Sequence, residues 1–365
     1  MANGDGRMLN LISDTQFRDF DNHFRHKLDQ ILDIPDLASL SQLMKLYACR
    51  SGKRLRPQLV IWTYLNASDR SESSAPEVVL DVATAWEIFH AFLLIHDDIV
   101  DGSDQRRNQP ALHKQLQSLD SDSPRFGVNL GIVAGDLMYA ATQRILSELQ
   151  TDAESYRQLH RLFARVASLT GFGQAVDILQ SHVPLKLCDV HTLLREYHWK
   201  TAAYTFEGPM LSGAILADLS DAARQAISEF ALSIGQAYQI QNDLIDLLKP
   251  VSEGSDLVEG KRTLTLLLAR SAQSSSEHDA LDQTLSLIQN APLEQALSLA
   301  DRLRCQILQT PAVEQTIDII RDLLRTSARV LQSRALPDSL RQSMRSILEL
   351  MQQKYFTHDN PTSPV

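Results

Sequence analysis

Residues 78–98 read VVLDVATAWEIFHAFLLIHDD, apolar on almost every face of a helix. Such a segment has to be covered on all sides, so it predicts a central helix within a larger helical assembly. Its end is electrostatically awkward. Asp97, Asp98 and Asp101 gather there, where the helix macrodipole is already negative. In helical register Asp97 and Asp101 stand one turn apart on one face, with Asp98 beside them. A hard divalent cation with oxygen ligands would turn the repulsion into attraction. Taken alone, the triad reads equally well as a solvated acidic helix end.

Helix-period patterns dominate the rest of the chain. Helices are predicted from Ser13 to about 33, over 36–50, through QLVIWTYL after Pro57, from Pro76, and over 126–149, 153–181, 189–217 and 220–248. About five more follow residue 261, the last over 292–309, 311–334 and 337–356. Polar loops are expected at 69–77, 102–125 and 250–261, and no hairpin turn signal stands out. The expected fold class is all-α: a single large helical bundle around a central cavity. It would cover residues 13–356, between a flexible N-terminus (1–12) and a disordered tail (357–365).

A chain of 365 residues, 44% of them hydrophobic, can bury a core of that size. A formal net charge of −10 argues against a nucleic-acid binder. The N-terminus lacks the long apolar run of a secretory signal, and stretches such as AFLLI and LTLLLA are too short for a membrane span. Cys49, Cys188 and Cys305 are scattered, which fits a reducing, cytoplasmic compartment.

A second acidic helix end lies in QAYQIQNDLIDLL, with Asn242, Asp243 and Asp246. In one bundle two such ends can face each other across a cavity and share a metal cluster. Basic residues fall in loops or beside the acids: Lys53, Arg54 and Arg56, then Arg106 and Arg107, Lys200, and Lys261 with Arg262. Each cluster alone reads as solvated surface. Beside two metal-type carboxylate sites they suggest diphosphate binding, because Mg²⁺ bridges carboxylate and phosphate oxygens and Arg forks grip phosphate bidentately. His90, two turns before Asp97, reads as a core histidine or as a donor to phosphate.

These blocks resemble, in order, the trans-isoprenyl diphosphate synthases of the polyprenyl synthetase family. GKRLRP (52–57) is similar to the family's GKxxRP. EIFHAFLLIHDDIVDGSDQRRNQPALH (87–113) is similar to its first aspartate-rich motif. GDLMYA (135–140), GQAVD (173–177), KTAAYTFEGP (200–209), GQAYQIQNDLID (235–246) and DLVEGKRTL (256–264) follow. The resemblance spans roughly residues 45–270 and is most like a short-chain geranylgeranyl or farnesyl diphosphate synthase. It implies a Mg²⁺-dependent prenyltransferase with three ions per active site and a homodimeric assembly. Asp97, Asp98 and Asp101 would hold metal ions on the allylic diphosphate, with Asn242, Asp243 and Asp246 at the opposing site. Arg106, Lys200 and Lys261 would contact that diphosphate. Lys53, Arg56, His90 and Arg107 would bind isopentenyl diphosphate. Gln239 would sit near the reacting end, and Thr201 and Tyr204 read equally well as lining that region or as helix packing.

Departures from the family pattern are confined. Asn242 stands where the family has the first Asp of its second motif. An Asn-Asp start is similar to class I terpene synthases, but their following Ser or Thr and Glu are replaced by Asp246 and Pro250. Ser255 and Thr265 replace a usual Lys and Pro. A terpene-synthase-like lyase and a non-catalytic partner subunit are therefore the alternatives. Phe92, five residues before Asp97, resembles the floor residue of short-chain enzymes, with Phe89 one turn below it. Leu93 is not aromatic, so the floor is expected lower than in a farnesyl synthase, and the expected product is geranylgeranyl diphosphate.

Overall fold

The computed structural model describes residues 10–67, 74–120, 122–251, 256–273 and 275–356. The expected tail, most of the expected N-terminal segment and the 69–77 loop, and Ser255 lie outside the described residues. The described chain is all-α apart from one very small hairpin, and it divides into two compact units.

The first unit comprises residues 1–161 and 209–219. Helix α1 (Asp14–Leu32) starts where its capping box requires: the Ser13 hydroxyl accepts from the Gln16 amide, and the Gln16 side chain answers to Ser13 N. It buries Phe20, Phe24, Leu28 and Leu32, spaced by four along one stripe. Helix α2 (Ala38–Ala48) follows, then α3 (Leu55–Ala67), with Pro57 tolerated in its first turn. Helix α4 (Glu77–Val100) is the apolar helix foreseen from sequence; Trp86, Ile88 and Phe89 are among the largest buried side chains. Two charges interrupt its apolar face, and each is paired. Asp81 meets His23 and Lys27, both at 2.8 Å, and Glu87 meets Arg54 at 2.5 Å. Helix α4 is also long and apolar enough to cross a membrane, which the short stretches noted above did not reveal. Two thirds of its most apolar window is buried within the protein.

The 102–125 region is not the plain loop expected. Strands β1 (Gln105–Arg106) and β2 (Gln109–Pro110) pair antiparallel, and α5 (Leu112–Gln117) follows. The connecting Arg107 and Asn108 both have positive φ, 55° and 59°, as a two-residue type I′ turn demands. Arg-Asn carries none of the glycine that usually announces this turn. Helix α6 (Phe126–Ser147) packs against α4, and α7 (Ala153–His182) begins in this unit.

The second unit comprises residues 162–208 and 220–365. The helix expected over 189–217 is interrupted. Helix α8 (Val190–Tyr197) runs into a π-helical stretch, His198–Glu207, before α9 (Gly208–Leu216), which returns to the first unit. Pro209 offers a cause: in a regular helix its ring would strike the carbonyl of residue 205, and the widened turn removes the clash. Helix α10 (Asp221–Leu248), capped by Ser220, packs against the π stretch. The expected 250–261 loop contains a single helical turn, α11 (Asp256–Glu259). Then come α12 (Leu264–Ser271), α13 (Ser275–Asn290), α14 (Leu293–Leu308), α15 (Ala312–Val330) and α16 (Asp338–Phe356).

Candidate active site

In the first unit, α4 ends at the aspartates in a Schellman motif. Ser103 N donates to Asp98 O and Gly102 N to Ile99 O, with Gly102 at φ 65°. The reversal brings the hairpin back over the helix end. Arg106 then reaches Asp98 Oδ1 through Nε (2.6 Å) and Nη2 (2.5 Å), and Asp97 Oδ2 at 3.3 Å. Tyr47 donates to the other Asp98 oxygen at 2.8 Å. Asp98 is wholly buried, Asp97 half-buried and Asp101 exposed. The three carboxylates are therefore not equivalent: Asp98 is committed to Arg106 and Tyr47, while Asp97 and Asp101 are the accessible ones. Arg50, which stacks on the Tyr47 ring, pins the hairpin by donating to Pro110 O at 2.6 Å.

Of the cations assigned to isopentenyl diphosphate, Arg56 is buried and Lys53 exposed. Arg107 folds back over Gly52 and donates to Ser51 O at 2.9 Å. Burial, followed by the charges of Arg56, Arg107, Arg54 and Arg106, holds the His90 imidazole well below its ordinary pKa, so it is neutral. Arg54, with φ 45°, is spent on Glu87 and the Ala48 carbonyl. Phe89 and Phe92 form an aromatic cluster with Tyr139; Phe92 lies 5.3 Å from the Tyr139 ring and 4.9 Å from His96.

In the second unit, every site residue expected there meets at one cavity of about 260 Å³: Lys200, Thr201, Gln239, Asn242, Asp243, Asp246 and Lys261. The π stretch places Lys200 and Thr201. It can lie close because Gly173 of α7 leaves room for the Lys200 backbone; a Cβ there would come within 2.4 Å of Lys200 N. Lys200 pairs with Asp177. Thr201 donates to Gln239 Oε1 at 2.9 Å, Gln239 donates to Asp243 Oδ1 at 2.7 Å, and Tyr197 donates to Asp243 Oδ2. The Tyr197 hydroxyl also accepts from Leu264 N at 3.1 Å. Asp246 accepts from the Asp256 amide at 2.8 Å. Gly260, at φ 78°, ends α11, and Lys261 turns back onto Asp256 (2.9 Å) and Glu259 (2.7 Å). Burial alone would lower the Lys261 pKa, but those two acids raise it, so it stays charged.

Burial, reinforced by Asp256, pushes the Asp243 carboxyl up to about 7 and Asp246 up to about 6. Burial and then Asp177 push Glu196 up to about 9. These are oxygen donors short of positive charge, which suits a hard divalent cation. Among the described residues, no three His, Cys, Asp or Glu side chains close into a complete ligand set by themselves. Sequence reasoning missed Tyr47, Arg50, Glu196, Tyr197 and Asp256. Of these, only Asp256 sat inside a quoted motif.

The polyprenyl synthetase family model matches residues 38–299. The short chain isoprenyl diphosphate synthase of Methanocaldococcus jannaschii is 32% identical over 261 residues, covering 68% of this chain and 72% of that one. The farnesyl diphosphate synthase of Escherichia coli is 30% identical over 294 residues, covering 76% and 87%. The crystal structure of geranylgeranyl pyrophosphate synthase from Corynebacterium glutamicum, complexed with isoprenyl diphosphate and magnesium, superposes with a TM-score of 0.79. It is 27% identical, with 92% of this chain and 99% of that one covered. With the ordered motifs, the all-α fold and these likenesses in agreement, the chain belongs to the polyprenyl synthetase family of trans-prenyltransferases.

Proposed function

We propose that the protein condenses isopentenyl diphosphate with an allylic diphosphate, in a Mg²⁺-dependent reaction, to give a short-chain trans-prenyl diphosphate. The product we assign is geranylgeranyl diphosphate, with farnesyl diphosphate or the twenty-five-carbon homologue as neighbours. One observation carries the reading: in the second unit Asn242, Asp243 and Asp246 line the same cavity as Lys200 and Lys261. Buried and half-buried acids beside half-buried cations suit a metal-bridged phosphate. Mg²⁺ keeps several waters and takes one or two carboxylates plus phosphate oxygens. An incomplete protein ligand set of Asp243, Asp246 and the Asn242 amide therefore fits it. In the first unit the accessible Asp97 and Asp101 serve metal, with buried Asp98 holding Arg106 beside them; the full complement is three ions.

When bound, Mg²⁺ supplies positive charge that stabilises the departing diphosphate. Lys200, Lys261 and Arg106 add fixed positive charge for the same purpose. Lys53, Arg56 and Arg107 hold the isopentenyl diphosphate, and neutral His90 keeps a ring N–H to donate to it. Thr201 and Gln239 fix the reacting end. The allylic C–O bond breaks, and its electron pair leaves with the diphosphate. The isopentenyl double bond forms the new carbon–carbon bond, and the proton lost from that unit passes to the released diphosphate. The apolar side chains of α4 keep out water that would quench the cation.

The test is chromatography of dephosphorylated products after incubation with isopentenyl diphosphate, Mg²⁺ and each allylic primer. Elongated prenyl alcohols support the proposal. A hydrocarbon would favour the lyase that Asn242 brings to mind, and no product would favour a non-catalytic subunit.

A homodimer is supported by Ile132, Val133 and Leu137, which leave an apolar stripe of α6 exposed on the single chain. Sedimentation tests it. The three free thiols support a cytoplasmic setting.

A further inference from the structure

Glu196 is an acidic side chain of the second-unit cavity that the mechanism above leaves unused. It lies at the end of α8, four residues before Lys200, and is 5% exposed. It lines the same cavity as Asn242, Asp243 and Asp246. Among the described residues its carboxylate accepts no hydrogen bond and makes no ion pair; the charges that act on it from a distance include Asp177, Lys200, Asp243 and Lys261. The nearby lysines are engaged elsewhere, Lys200 on Asp177 and Lys261 on Asp256 and Glu259. A buried carboxylate without a partner is costly and persists where something outside the chain completes it.

The α10 trio is itself one carboxylate short. Asp97, Asp98 and Asp101 give the first unit three carboxylates, whereas Asn242 leaves its own trio with two. The Asn242 amide oxygen can ligate a cation but cannot neutralise it. We infer that Glu196 is a metal-facing carboxylate, supplying from α8 the charge that Asn242 has withdrawn from α10. This rests on the metal–diphosphate reading of the cavity. Two other roles would leave a different signature. A permanently protonated Glu196, acting only as a hydrogen-bond donor, would be replaced by glutamine without effect on metal. A Glu196 serving as an alternative seat for Lys200 would not depend on residue 242.

The experiment is Mn²⁺ binding to the full chain with inorganic pyrophosphate present, followed by the electron paramagnetic resonance signal of free Mn²⁺. Wild type, Glu196→Gln, Asn242→Asp and the double variant are compared. We expect Glu196→Gln to weaken Mn²⁺ binding by about ten-fold. Asn242→Asp placed in the same chain should restore wild-type affinity. Melting in EDTA checks folding, and Glu196→Gln should match wild type, because the two side chains have nearly the same shape. Unchanged Mn²⁺ binding in Glu196→Gln, or a loss that Asn242→Asp does not restore, would overturn the inference alone. Failure of the wild type to bind Mn²⁺ with pyrophosphate would overturn the underlying reading with it.

Discussion

Arg106 meets Asp98 with two nitrogens on one carboxylate oxygen, at 2.6 and 2.5 Å, while Tyr47 donates to the other oxygen at 2.8 Å. The middle carboxylate of the first motif is thus a structural anchor as well as a candidate site residue. Asp98→Ala takes away the two short contacts of the Arg106 guanidinium and the acceptor of Tyr47, and should cost about 3 kcal/mol of stability. Asp97→Ala removes a half-buried carboxylate whose contact with Arg106 is longer, and should cost less, about 1 kcal/mol. Both should depress turnover. Thermal melting beside product formation separates the two, and equal stability losses would refute the distinction.

The raised acids of the second unit predict a pH dependence. A carboxyl with an elevated folded-state pKa favours the folded protein in its protonated form. Its contribution is complete below the ordinary carboxylate range and is lost as pH climbs through about 6 for Asp246 and about 7 for Asp243. In EDTA, wild type should lose melting temperature relative to Asp243→Asn between about pH 5 and pH 8. Added Mg²⁺ should raise the wild-type melting temperature more at the upper end, where protons no longer compete. Equal Mg²⁺ effects at both ends would refute it.

Gly173→Ala tests the seat of the π stretch. The new methyl would meet backbone at Lys200, which cannot swing aside as a side chain can. A stability loss of about 1–3 kcal/mol is expected. Lys200 should also be displaced, so turnover should fall further than the melting temperature alone explains. Calorimetry and steady-state rates on one preparation check both.

Phe92 and Phe89 separate floor from core. Phe92 is only partly buried, whereas Phe89 is 1% exposed and also packs edge-on against Trp86. Phe92→Ala should lengthen the prenyl product at modest cost in stability. Phe89→Ala should cost about 3–5 kcal/mol. Chromatography of the products decides, and an unchanged distribution in Phe92→Ala would remove it as the floor.

Much of this was readable from sequence where the signal is local. Ser13 with Gln16, Pro76 and Ser220 mark helix starts through their own chemistry, and the apolar run before Asp97 could only be a covered helix. The ordered acidic and basic blocks pointed to the candidate site for the same reason. What escaped depends on partners distant in sequence. Tyr47 is an ordinary tyrosine until Asp98 lies beside it, 51 positions on. Tyr197 gains its role from Asp243 and Leu264 together. Glu196 looks like a helix-surface acid in a string of letters, and only packing removes its water. The π stretch depends on Gly173 and Pro209 acting on one segment from either side of it in the sequence.

The hairpin after α4 carries a constraint on evolutionary length. Arg106 and Arg107 are adjacent, yet one grips the aspartates while the other folds back over Gly52. Arg106 is the last strand residue and Arg107 the first of the turn, so a slip of a single residue moves one into the other's place. The span from Gly102 to Pro110 can therefore change many of its letters, Gln105 and Gln109 among them. It cannot gain or lose one without handing each arginine the other's task.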